Sequence, residues 1–273
     1  MKSQLFVRLS ALIVAFSGIS LLQGCANTTQ AGAVGINRTQ LLVVPSAQIN
    51  QQAAEGFSKL SQEAAKQSKL NKDAAMTKRV RGIGERLIKH VPVFREDAAQ
   101  WAWEINVFES DEMNAFCAPG GKIGFYTGII RKLQLTDDEI AAIMGHEMAH
   151  ALREHSREQL AKNQATSIGI SLGAQLLGLG DIGSTAARLG GQLLSLKFSR
   201  NDESDADLVG LELAARAGYN PQAAVSLWRK MGEATGEGGI GFLSTHPTGP
   251  SRIRQLEGNV PRVMGLYEQA RKR

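Results

Sequence analysis

A chain of 273 residues, 43% hydrophobic and 21% charged, has the bulk and composition of a globular protein with its own core. Its net charge of +5 is not gathered into a basic run with interleaved aromatics, so nucleic acid is excluded as the expected partner.

The chain opens on a targeting pattern. Lys2 and Arg8 precede a mostly apolar stretch from Leu9 to Leu22. As a helix it would span about 21 Å, short of the roughly 30 Å bilayer core. Residues 1–24 therefore read as a signal peptide rather than a permanent span. Leu22-Gln23-Gly24-Cys25 resembles the lipobox of bacterial lipoproteins, which implies that Cys25 is lipidated and begins the mature chain; a plain secretory signal with a chance cysteine is the competing reading. Ala26 rather than Asp after the cysteine implies, by the same resemblance, the outer membrane. The expected location is thus the cell envelope, lipid-anchored and facing the periplasm. With Cys25 carrying lipid, Cys117 has no disulfide partner. It reads as a small buried apolar residue, with contact to the site or oxidation sensing as the lesser alternative.

From Ala26 to about Arg38 the chain is polar and without periodicity, so residues 25–40 read as a tether and 41–273 as the folded domain. Ser46 is placed to cap a helix through about Leu70, and Asn71 to cap a second carrying Val80, Ile83, Leu87 and Ile88 on one side. Gly82-Ile83-Gly84 follows a helical pattern and lacks a third glycine, so it is not a nucleotide loop. Trp101 to Phe108 alternates large apolar and polar residues, the pattern of a half-buried strand. Asn114-Ala115-Phe116 follows, then a turn at Pro119-Gly120-Gly121 and a returning strand over Ile123 to Tyr126. Such strands can offer a free edge, where an extended peptide pairs through backbone hydrogen bonds.

Thr136 and Glu139 form a capping-box pair ahead of a helical run to Leu160. In that run stands His146-Glu147-Met148-Ala149-His150. At about 100° per residue the two histidines lie about 40° apart on one face, so their imidazoles can converge on one zinc ion. Glu147 projects to the side, within reach of a water beside the metal. An ordinary solvated helix fits poorly, because the neighbours are Ile140, Ala141, Ile143, Met144, Ala149 and Leu152.

A catalytic zinc takes three protein ligands and keeps one position open. Arg153 and Ser156 stand where a metzincin pattern needs Gly and His, and His155 is out of phase with it. Glu154, one turn further along the same helix, cannot close on the point defined by His146 and His150. Thr166 to Leu196 is apolar and glycine-rich, read as close-packed small-residue helices or a flap over the cleft, with contact to a lipid surface the minor alternative. Ser199 then caps another helix, with Asp202 at capping-box spacing and Gly218 as its stop. On it Glu203 is the best third ligand. Asp207, one turn on and facing the same way, would accept the outer N–H of a ligating histidine. Alone, such a Glu and Asp one turn apart would be an ordinary solvated face. Asn220-Pro221 opens a further helix, Gly232 to Gly241 reads as a loop, and Thr245-His246-Pro247 leads into the last helix.

Together, the His146–His150 stretch and Ser199 to Asp207 resemble the HtpX and CAAX-prenyl-protease-like family of zinc metallopeptidases. Asn114-Ala115-Phe116 with Pro119-Gly120-Gly121 is similar to that family's edge segment, and this resemblance alone implies that Asn114, Ala115 and Phe116 form the substrate-binding edge. Thr245-His246-Pro247 is similar to its C-terminal histidine motif. The likeness covers roughly residues 40–260. The lipobox makes the chain most similar to the soluble periplasmic lipoprotein (LoiP-like) branch. The resemblance implies a predominantly helical α+β fold of the zincin-like, gluzincin type with a small sheet beside the active-site helix, one zinc per chain, and endopeptidase activity on polypeptides. In that reading Glu147 moves the water's proton and His246 stabilises the oxyanion, with Arg252 a weaker candidate. A turn-stabilising role, or blockage of the resting zinc, stays open for His246. Two functions follow: an envelope protease clearing misfolded or unfolded polypeptides, or a non-catalytic or weakly catalytic holder of the same chains. An intact Glu147 favours the first.

Overall fold

The structure is a computed structural model that describes residues 25–163, 196–234, 241–247 and 249–272. It begins with β1 (Cys25–Ala26), which pairs antiparallel with β2 (Gln40–Leu41). The intervening residues, a tether by composition, are fastened along the body. Gln30 donates its N–H to Phe94 O at 2.7 Å. Val34 is buried and donates its N–H to Glu212 Oε2 at 3.0 Å. Arg38 meets Glu158, Asp202 and Asp205 at 2.8, 2.6 and 3.0 Å.

Two helices follow, α1 (Ser46–Lys66) and α2 (Ala74–Ile88). The first stops short of the expected Leu70, and Asn71 is not the cap of the second. Asp73 caps α2 by accepting from Met76 N–H at 3.0 Å. Asn71 sits at φ 50 and spends its side chain on Val107 N–H at 2.8 Å and on Asn106. A left-handed residue cannot lead a right-handed turn, so the helix begins after it.

The sheet is three-stranded in the order β3-β5-β4. Strand β3 (Glu104–Phe108) lies parallel to β5 (Lys122–Tyr126), and β4 (Ala115–Ala118) pairs antiparallel with it across the glycine turn. Gly120 and Gly121 take φ 77 and 83, which side chains resist. The strand expected from Trp101 starts only at Glu104, because residues 96–100 form a 3-10 turn and Trp101 stacks on Trp103 at 5.5 Å. Strand β4 is an edge of the sheet.

A short helix, α3 (Thr127–Lys132), leads to α4 (Asp137–Leu152). The capping box is formed in full: Thr136 Oγ1 accepts from Glu139 N–H, and the Glu139 carboxylate accepts Thr136 N–H at 2.9 Å. The helix does not run on to Leu160. It breaks after Leu152, where Glu154 takes φ 50, and helical residues resume at 155–163 in a new direction. No proline or glycine marks the break. It is held by tertiary contacts: Arg153 is fully buried and donates to Asn27, Thr29, Arg38 O and Asp205.

Among the described residues, the helices that follow are α5 (Arg200–Arg216), capped by Ser199 and Asp202, α6 (Gln222–Glu233), α7 (Gly241–Thr245) and α8 (Pro250–Arg271). The centre of the molecule is the crossing of α4 and α5 at Gly145 and Gly210. A Cβ on Gly210 would lie 2.6 Å from His146 N, and one on Gly145 would lie 2.8 Å from Gly210 O. Only two glycines let the backbones meet. The expected features over 166–196 fall outside the described residues, save Leu196, as does most of the loop expected over 232–241. Among the described residues no helix is long and apolar enough to cross a membrane.

Candidate metal centre

The glycine crossing sets the site. His146 and His150 follow Gly145 along α4, and Glu203 stands about two turns before Gly210 on α5. The two helices thereby bring the histidine pair and Glu203 face to face in the interior, all three buried. The structure adds His246, buried at the end of α7. Among the described residues, His146, His150, Glu203 and His246 form the group that could hold a metal ion, with ligand atoms all within 4.8 Å of one another.

The distances are those of a coordination shell. His146 Nε2 lies 3.2 Å from His150 Nε2 and 3.2 Å from His246 Nδ1. Glu203 brings one oxygen to 2.9 Å from His246 Nδ1 and 3.5 Å from His150 Nε2, and the other to 3.5 Å from His146 Nε2. A tetrahedral zinc site with bonds of roughly 2.0–2.1 Å has ligand–ligand edges of about 3.3 Å. One proton on His146 Nε2 can serve only one of its two imidazole neighbours, whereas a cation at the centre serves every lone pair at once. Three imidazoles and one carboxylate are also zinc's preferred donors. The residues present fit the ion.

The electrostatics ask for a positive charge there. Burial raises the Glu203 carboxyl, but hydrogen bonds from the three histidines outweigh it and hold the acid far below its usual range. Burial opposes charge on His146 too, yet its bonds to Asp207 and Glu203 prevail and push it up to about 9. The same buried carboxylates favour a cation at the centre of the cluster. Asp207 Oδ1 sits 3.1 Å from His146 Nδ1, on the outer side of that ring. Arg252 grips Asp207 with two bonds of 2.7 and 2.6 Å, reaches Glu203 at 2.8 Å and Pro247 O at 2.9 Å, and stacks on Trp228. An arginine so occupied is not free to stabilise an oxyanion. It braces Asp207 and Glu203 and ties the His246 segment to them, a role the sequence reading missed and the Asp207 partner requirement could have suggested.

Glu147 is buried beside the cluster, with Oε1 at 3.4 Å from His246 Nε2 and without a hydrogen bond among the described residues. Burial raises its pKa, while His246 and His146 pull it back in part, and the Cys117 backbone N–H steadies the carboxylate. A cleft of about 180 Å³ opens over it, lined among others by Asn114, Phe116, Cys117, Phe198 and His246. The expected substrate edge, Asn114, Ala115 and Phe116, therefore borders the same cleft as Glu147. Cys117 is buried and free, with its thiol pushed up by burial. His246 stands inside the donor cluster rather than apart from it. Phe198 stacks on His150 at 4.1 Å between ring centres and covers its outer face.

Residues 74–260 match the family model described as Peptidase family M48. The chain is 38% identical over 162 residues to the mitochondrial metalloendopeptidase OMA1 of Schizosaccharomyces pombe, covering 58% of this chain and 47% of that protein. It is 37% identical over 155 residues to the mitochondrial metalloendopeptidase OMA1 of Arabidopsis thaliana, 57% of this chain and 31% of the relative. It is 25% identical over 209 residues to the beta-barrel assembly-enhancing protease of Escherichia coli, 72% of this chain and 42% of the relative. The chain spans half or less of the length of these curated relatives.

Proposed function

The chain belongs to peptidase family M48, and from that premise we propose that it is a zinc-dependent endopeptidase of the bacterial cell envelope, cleaving misfolded or unfolded polypeptides. The observation that carries this reading is Glu147: a buried carboxylate with one free oxygen, between a four-residue donor cluster and a cleft bordered by an edge strand. A site that only stores metal has no use for it.

His146, His150 and Glu203 would hold the ion. Bound there, zinc supplies Lewis acidity, lowering the pKa of a water molecule toward about 7 and polarising a carbonyl. Glu147 accepts the attacking water's proton at its free Oε1 and returns it to the leaving amine. Burial raises its pKa, which makes the carboxylate a readier acceptor of the proton it later returns. The edge of β4 aligns an extended segment by backbone pairing, which demands an unfolded substrate but little particular sequence. His246 Nδ1 occupies a fourth corner of the donor set, so the described arrangement is closed. His246 has to withdraw before a substrate carbonyl can enter, and from there its ring can donate to the oxyanion.

Cys25, lipidated, would anchor the protein in the outer membrane facing the periplasm, as in the lipoprotein branch of the family. The lipobox supports this, as does the exposure of Cys25 at the very start of β1. Acyl chains contribute about 0.8 kcal/mol per buried methylene, enough for stable attachment when several are present. The test of function is digestion of casein by the purified protein, stopped by a chelator and restored by zinc. Absence of digestion, with unfolded chains still bound, would replace the enzyme with a holder. Cys25→Ser should release the protein from membranes, and a variant still membrane-bound and lipid-labelled would refute the anchor.

A further inference from the structure

The two histidines of α4 are backed by different groups. Behind His146 stands the Asp207 carboxylate. Behind His150 stands a third histidine: His155 Nδ1 lies 2.8 Å from His150 Nδ1. On an unbroken helix, five residues apart, these rings would point about 140° away from each other. The break at Arg153 and Glu154 folds His155 back beneath His150, where it is fully buried.

The geometry fixes the protons. His150 turns Nε2 toward His146 and Glu203, at 3.2 and 3.5 Å. A nitrogen that donates its lone pair there cannot carry a proton, so the proton belongs on Nδ1. Among the described residues that N–H has one partner in reach, His155 Nδ1, which must then present a lone pair and keep its own proton on Nε2. His155 Nε2 in turn faces Asp205 Oδ2 at 3.8 Å and Asp202 Oδ1 at 3.9 Å. Both acids are held from the far side. Arg38 meets Asp202 at 2.6 Å and Asp205 at 3.0 Å, and Arg153 meets Asp205 at 3.0 Å.

We propose that His155 is a positioning residue for the metal centre: it accepts the Nδ1–H of His150 and so fixes the tautomer and ring angle that aim Nε2 at the ion. Beyond His155 the contact is electrostatic only: its Nε2 lies 3.8 Å from Asp205, too far for a hydrogen bond, and Arg38 of the N-terminal segment holds that acid. An imidazole acceptor is uncharged, so His150 remains a weaker electron donor than His146 with its carboxylate. The two ligands are tuned differently by what stands behind them.

The inference rests on the reading of the cluster as a zinc site, and the experiment separates the two. Zinc affinity of the full chain is measured by chelator competition for wild type, His155→Asn and His155→Leu, with cobalt-substituted absorption spectra as a second readout. Asn places an acceptor oxygen near the lost Nδ1; Leu fills the space without one. Leu is expected to weaken zinc binding about 10- to 100-fold and to alter the cobalt spectrum, while Asn restores most of both. Equal affinity in Leu and wild type, or equal losses in Leu and Asn, would overturn the role of His155 while leaving the metal site standing. A wild type that binds no zinc would overturn the metal reading instead. If the variants do not fold, nitrogen-15 NMR of the wild-type imidazoles decides: His155 protonated on Nε2 with a protected His150 Nδ1–H supports the bond, and a proton on His155 Nδ1 refutes it.

Discussion

Helices α2 and α4 show two ways of being a helix in this molecule. On α2 the buried residues form one stripe, Thr77, Val80, Ile83, Gly84 and Leu87, and the charged residues face solvent. On α4 every residue from Glu139 to Leu152 is buried, and α5 is nearly the same from Asp205 to Ala215. A charge on α2 needs no explanation, because water solvates it. A charge on α4 or α5 has no water, so each must find a partner. Glu139 has Lys230, Asp207 has Arg252, and Glu203 has the histidines. Among the described residues Glu147 meets no lysine or arginine; its Oε1 has only His246 Nε2 at 3.4 Å, and Glu147 is the residue the proposed chemistry uses.

The sharpest test of this contrast is Glu147→Gln. The amide keeps the shape but cannot take the proton, so digestion of a loosely folded protein should fall about 10²- to 10⁴-fold with zinc content unchanged. Wild-type rates would mean that Glu147 is merely one more buried polar group. Asp207→Ala should weaken zinc affinity roughly 10- to 100-fold, and Glu203→Ala should do more, because it removes a ligand. A Glu203→Ala protein that retains zinc stoichiometrically would dismiss Glu203 from the shell. The glycines extend the comparison to packing. Gly210→Ala drives a methyl into His146 and should cost about 1–3 kcal/mol. Gly82→Ala, on the open side of α2 with nothing within 4 Å, should stabilise by about 0.5–1 kcal/mol. Thermal denaturation of the pair gives the two signs; equal signs would dissolve the distinction between the helices.

The smallest effect concerns the N-terminal segment and its Arg38. Burial raises the Glu158 carboxyl, but bonds from Arg38, Lys162 and Gln40 prevail and lower it from 4.5 to about 2. A depressed carboxyl contributes stability that is complete above its unfolded pKa and lost as the pH falls through the folded one. Arg38→Gln should therefore lower stability at neutral pH and flatten the decline between about pH 4.5 and 2. Urea midpoints across that range measure it, and parallel curves for variant and wild type would show Arg38 to be idle.

Much of this was written locally in the chain. The capping boxes at Thr136 and Ser199 and the four-residue spacings of His146 with His150 and of Glu203 with Asp207 are each set within a few residues. What stayed hidden depends on distant partners. The break at Glu154 carries no glycine or proline, because the cause is Arg153 anchored on Asn27, Thr29 and Arg38. The docking of residues 27–39 escaped notice because it rests on backbone groups, the scattered side chains of Asn27, Thr29 and Arg38 and the buried Val34, which leave no hydrophobic period to read. Asn71 and Asp73 are both plausible caps by sequence, and only the pull of Val107 on Asn71 decides between them.

The grip of Arg252 on Asp207 also has a bearing on how the protein is made. It joins positions 45 residues apart, and the contact of His246 with His146 spans 100. Closing such long loops is the slow part of reaching a native state. A growing chain that has already folded α4 still lacks His246 and the arginine that braces Glu203, so the donor cluster is complete and braced only after α8 has docked. Under the proposed function, the order of synthesis would withhold proteolysis until the chain is itself folded.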